Sequence, residues 1–181
     1  MQIIDRDFKE IFTSEIISVL GGLVAGVLLA LYVQKLFIIP SLIVILPGFL
    51  EMRGNISGSF ASRLSSGLFL HVINPLKYST RIVKGNIVAS FILAIIVSLA
   101  LGFMAFLFTY FVFGVFLVSI IFIPLIAGII ANAIEIAITL FATFYLFRKG
   151  HDPNNIIGPF ITTTGDITSI VSLLVVVVVM I

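Results

Sequence analysis

The chain has 181 residues and no cysteine; 61% of its positions are hydrophobic, 10% are charged, and the formal net charge is +2. Soluble domains carry roughly 25% charged residues, so the composition excludes one and predicts a single integral membrane domain over residues 1–181. Disulfides and thiolate metal sites are excluded as well, and the small net charge gives no footprint for nucleic acid.

Residues 1–14 carry Asp5, Arg6, Asp7, Lys9 and Glu10 ahead of a full-length apolar run. A cleavable signal peptide does not have that order, and the stretch is predicted to be an interfacial lead-in lying on the membrane surface. Ile16 to Val33 is uncharged and long enough to span. It contains Gly22 and Gly26 at the spacing that permits close helix packing. The second apolar segment, from Leu36 to about Ile73, is too long for one straight crossing of roughly 30 Å of hydrocarbon. Pro47 and Gly48 are predicted to kink or break it. Beyond them Asn55, Ser59, Ser62 and Ser66 recur at helical spacing as one polar stripe. With Glu51 and Arg53 nearby, a face lined by water is expected there.

Asn74 to Gly85 is a polar connector with Lys77, Arg81 and Lys84. Gly85 to Ile134 carries no charge and must hold one whole helix and most of the next, with the turn expected between Thr109 and Gly114. Tyr110, Phe111 and Phe113 there match an interfacial aromatic cluster. In the fourth helix Asn132, Glu135, Thr139 and Thr143 share one face. Asp152-Pro153 suits a helix start. The last span, Ile156 to Ile181, holds one charge, Asp166, beside a glycine that would permit local unwinding.

The predicted fold is thus an all-α membrane protein of five transmembrane helices. Five spans put the termini on opposite sides. With the N-terminus inside, the cytoplasmic side holds Arg6, Lys9, Lys77, Arg81, Lys84, Arg148 and Lys149, against Lys35 alone outside. The positive-inside rule selects that orientation.

Three carboxylates fall in the apolar segments: Glu51, Glu135 and Asp166. Each either pairs with an arginine, is held protonated, or faces a cation. For Glu51 the local arginines are Arg53 and Arg63; Asp166 has none nearby. The neighbouring Asn, Ser and Thr oxygens make a hard donor set, suited to Mg²⁺, Ca²⁺ or Mn²⁺.

Two stretches carry a family resemblance. M-R-G-N-I-S-G-S-F-A-S-R-L-S-S, ending at Ser66, resembles the signature of the MgtE divalent-cation transporter domain. It is closer to the magnesium solute-carrier branch than to the bacterial one, whose motif reads more like G-N-x-G-x-Q. D-P-N-N-I-I-G-P-F-I-T-T-T-G-D-I-T-S-I, from Asp152 to Ile170, is similar to the later motif of that branch. The resemblance implies a multi-pass protein of the cell membrane, embedded in lipid. It also implies a homodimer with the ion path along the dimer interface. Asp166 matches the fifth-helix aspartate that binds the ion, and Asn55 matches the asparagine of the second-helix motif. Gly58 stands where the bacterial motif has glutamine, so the role of that amide does not carry over. Animal relatives carry two such domains in tandem; this chain carries one, and dimerisation would restore the pair.

The resulting expectation is a channel or transporter for Mg²⁺, with Mn²⁺ or other divalent cations as further cargo. Asp166 from both subunits would form the central site, supported by Asn55, Thr162 and Thr163, while Asn132 and Glu135 would extend the path. The alternative is a structural or partner subunit of a larger membrane complex, its polar stripes serving as packing contacts. An enzyme is not expected. Ser57 and His71, the one serine-base pairing on this segment, would stand about 21 Å apart along a straight helix.

Overall fold

The computed structural model describes residues 5–36 and 40–180, which form five helices: α1 (Arg6–Leu36), α2 (Pro40–Phe69), α3 (Arg81–Phe113), α4 (Ser119–Arg148) and α5 (Pro153–Met180). Residues 1–4 of the expected lead-in, residues 37–39 of the second apolar segment and the terminal Ile181 lie outside the described residues. Four helices, α1, α3, α4 and α5, are long and apolar enough to cross a membrane. The 30-residue α2 is the polar exception, because it carries Glu51, Arg53 and Arg63.

Residues 6–14, expected as a separate surface segment, are instead the first turns of α1. A 31-residue helix is about 46 Å long, so its charged first turns reach beyond a hydrocarbon layer of roughly 30 Å. Their charges are used locally. Arg6 Nε bonds Glu10 Oε1 at 3.0 Å, and His151 Nδ1 lies 2.8 Å from the same oxygen. This network ties the start of α1 to the α4–α5 loop.

The expected break at Pro47 is also absent: α2 runs through it as one helix. Pro47 cannot donate to the carbonyl one turn back, but the helix is held on both sides of it by buried Leu42, Ile45 and Phe49. Likewise α5 continues through Gly165 without unwinding. The turn between α3 and α4, expected between Thr109 and Gly114, comes at the far edge of that stretch: α3 runs on to Phe113 and α4 starts at Ser119. Gly114 takes φ +66° and its N–H returns to the carbonyls of Thr109 and Tyr110, a left-handed C-cap that suits glycine. At the start of α5, Asp152 Oδ1 accepts from the Asn154 amide at 2.8 Å.

The centre of the bundle is α2, packed against α3, α4 and α5; α1 lies outside, along α5, and barely touches α2. Close approach of α3 and α4 depends on Gly102, where an added Cβ would collide with the backbone of Ile121. Gly21, rather than the Gly22 and Gly26 pair, is the contact glycine of α1. It packs on Thr163, whereas Gly22 and Gly26 meet nothing within 4 Å. Two apolar clusters fill the core, one around Leu42, Phe49, Ile123 and Leu173 and the other around Phe60, Leu64, Leu68 and Phe144. The buried charged side chains, Arg53 and Glu135, lie on α2 and α4, while buried hydroxyls occur on every helix, among them Ser14, Ser90, Ser98 and Thr109.

Candidate functional site

Mid-length in α2 and α5 the two helices part to form a cleft of about 470 Å³, lined by Pro47, Leu50, Glu51, Gly54, Asn55, Thr162 and Asp166. The polar stripe of α2 supplies one wall. Asn55, Ser59, Ser62 and Ser66 are all exposed, as is Glu51. Glu51 Oε1 accepts from Asn55 Nδ2 at 3.1 Å, one helical turn on. The other wall is α5, where the exposed Thr162 donates from Oγ1 to the Gly158 carbonyl at 3.0 Å. Asp166 is half-buried in the cleft and, among the described residues, has neither a hydrogen-bond partner nor an ion pair. The cleft therefore gathers two carboxylates, an amide and a hydroxyl, with no cationic side chain in its lining. Oxygen donors of this kind suit a hard divalent cation.

The seam continues toward the start of α5. A second cavity of about 250 Å³ lies between the same helices, lined by Gly58, Ala61, Ser62, Ser65, Asn154, Ile157 and Gly158 among others. Gly58 and Gly158 face open space, so it is their missing side chains that leave room there.

A different polar group lies behind the cleft, wholly inside the bundle. Arg53, only 1% exposed, turns away from Glu51 and donates from Nη1 to Asn132 Oδ1 at 2.8 Å. Glu135 on α4 is 0% exposed, and its Oε1 accepts from Thr168 Oγ1 of α5 at 3.0 Å. Glu135 packs against Gly165, where an added Cβ would stand 3.7 Å from Glu135 Oε2, at ordinary contact distance. Several buried atoms of this group have no hydrogen-bond partner among the described residues: Nε and Nη2 of Arg53, Nδ2 of Asn132, Oε2 of Glu135 and Oγ1 of Thr139.

Of the residues singled out in the sequence, Asp166, Asn55 and Thr162 come together in the cleft. Thr163 does not; its hydroxyl bonds the Ser18 carbonyl at 3.1 Å and the Ser18 hydroxyl at 2.9 Å, on the side facing α1. Asn132 and Glu135 belong to the buried group with Arg53. Glu51, left open between an arginine partner and a cation, lines the cleft with Asn55 as its partner. The residue missed altogether is Arg53 as an interior charge. Its position held the signal, because it lies on the side of α2 opposite the Asn55–Ser66 stripe, in register with Phe49 and Phe60.

Compared with known proteins, the chain matches the model of one family, MgtE, described as divalent cation transporter, over residues 46–176. That match covers more than two thirds of the sequence and includes every residue of the cleft. A search of curated proteins returns no match.

Proposed function

Since the chain belongs to the MgtE divalent cation transporter family, a family of multi-pass membrane transporters rather than enzymes, we propose that it moves Mg²⁺ along the α2–α5 seam, with Asp166 as the central ligand. The observation that carries this reading is the cleft itself, with Asp166, partnerless among the described residues, at mid-length of α5, a helix long and apolar enough to cross a membrane, and an exposed Glu51 at mid-length of α2 beside it. Carboxylates at that depth are costly unless they face water, a counter-ion or protein. Mg²⁺ dehydrates reluctantly and is held by few carboxylates through its waters. A cleft of about 470 Å³ has room for the hydrated ion.

The same cost argues for a homodimer. The exposed stripe of α2 and the open side of the cleft cannot rest against lipid, and a second copy related by a two-fold axis would cover both. It would also place two Asp166 carboxylates around one path. In this assembly α2 is the fifth span. The N-terminus lies in the cytoplasm, since basic residues gather at one end of the bundle. Arg6 bonds the Gly150 carbonyl and Arg148 Nε bonds the Pro75 carbonyl at 2.6 Å, which brings the α1 start, the α2–α3 connector and the α4–α5 loop together.

The test is Mg²⁺ flux into liposomes holding the purified protein, wild type beside Asp166→Ala, with and without a Na⁺ or H⁺ gradient. Flux that requires Asp166 upholds the reading, and its gradient dependence separates exchanger from channel. A folded protein with no flux above empty liposomes would sink it in favour of a partner subunit.

A further inference from the structure

Arg53 poses a problem for any cation in the cleft. It sits on α2 between Glu51 and Asn55, both cleft residues, and its guanidinium is charged under all conditions. An uncompensated positive charge there would repel a divalent ion, or draw Asp166 away from it. Arg53 is 1% exposed, so water does not screen it. Among the described residues the one hydrogen bond of its side chain, to Asn132, is to a neutral amide.

We propose that Glu135 is the counter-ion of Arg53, and that this pair keeps the Arg53 charge from opposing the cation at Asp166. Glu135 lies one turn from Asn132, the residue that Arg53 bonds, on the same face of α4; it is 0% exposed and, among the described residues, makes no direct ion pair. Its carboxylate is fixed by Thr168 and lies against Gly165, the residue before Asp166. The order through the bundle is thus guanidinium, buried carboxylate, cleft carboxylate. Because Glu135 answers Arg53, Asp166 remains available to the ion. Glu135 and Arg53 are positioning residues in this scheme and touch no cargo. The unpartnered Nε and Nη2 of Arg53 and Oε2 of Glu135 are the atoms through which ordered water would complete the pair.

The inference rests on the transport reading above, and the experiment separates the two. Mg²⁺ flux and its half-saturation concentration are measured in liposomes for wild type, Glu135→Gln, Arg53→Met and the double variant. Wild-type flux tests the transport reading by itself. Given flux, E135Q unmasks Arg53 and is expected to raise the half-saturation concentration roughly tenfold or more. R53M is expected not to raise it. The neutral double variant should return to within about twofold of wild type, since exchanging a buried charge pair for neutral groups is often tolerated. A purely structural role would move both single variants in the same direction. A direct ligand role for Glu135 would leave the E135Q defect in the double variant. Either result overturns the proposal. The double variant buries no lone charge, so a raised half-saturation concentration in it still overturns the proposal even if a single variant fails to fold.

Discussion

The cleft and the buried group hold nearly the same chemistry within a few helical turns of each other. The cleft has Glu51, Asn55, Thr162 and Asp166; the interior has Glu135, Asn132, Thr168 and Arg53. What separates them is exposure and one cation. In the cleft the carboxylates stay open and the only partner is an amide. Inside, every member is at or near zero exposure except Thr168, and a guanidinium is supplied by the protein itself. Residue type alone therefore does not mark an ion site in this bundle. On the reading proposed above, the buried carboxylate near an arginine serves the core, and the open carboxylates are the ones available to a cation from outside.

The comparison breaks most sharply at Asp166. Replacing it by Ala or Asn is expected to cut Mg²⁺ uptake at least 100-fold, since the central negative charge is lost. Thermal unfolding should be unchanged, because no partner is left behind. A cleft residue whose loss unfolded the protein would erase the distinction. The opposite pattern is expected for Arg53→Met. Removing the guanidinium leaves Glu135 as a buried charge and Asn132 Oδ1 without its donor, at a cost of about 3–5 kcal/mol. Thermal denaturation in detergent reads this directly, and a stability equal to wild type would show that the interior group is not a charge pair. Smaller again is Glu51→Gln. The amide keeps its contact with Asn55 but removes one of the two cleft charges. The half-saturation concentration for Mg²⁺ should rise by roughly three- to tenfold with no change in unfolding.

Much of this arrangement was legible in the sequence, for identifiable reasons. Apolar runs of membrane length with at most one charge marked α1, α3, α4 and α5, and the aromatic cluster of Tyr110, Phe111 and Phe113 marked the neighbourhood of the turn at Gly114. Helical spacing found both polar faces, Asn55 to Ser66 on α2 and Asn132 to Thr143 on α4. Spacing does not say what a face meets. The α2 face opens outward and the α4 face is sealed, and that depends on how the helices are rotated in the bundle. Pro47 and Gly165 misled for a related reason. Each weakens a helix locally, yet α2 and α5 continue through them, with buried Ile45 and Phe49 packed on either side of Pro47 and Glu135 against Gly165. Arg53 was read by its neighbours in sequence, Glu51 and Asn55, when a helix places it opposite them.

The smallest expected effect concerns Thr163, which stands beside the cleft residue Thr162 in sequence yet serves a different contact. Its hydroxyl is bonded to Ser18, and its methyl occupies the space left by Gly21. Since α1 rests almost entirely on α5, this is one of the few polar attachments of the outer helix within the apolar layer. Thr163→Val keeps the shape and removes the hydroxyl, so about 1 kcal/mol of α1 docking should be lost. The amides of α1 should exchange faster while the Mg²⁺ half-saturation concentration stays at the wild-type value. If instead the flux parameters changed and α1 exchange did not, Thr163 would belong to the ion path after all. The boundary of the cleft would then move one residue around α5, toward the outer helix.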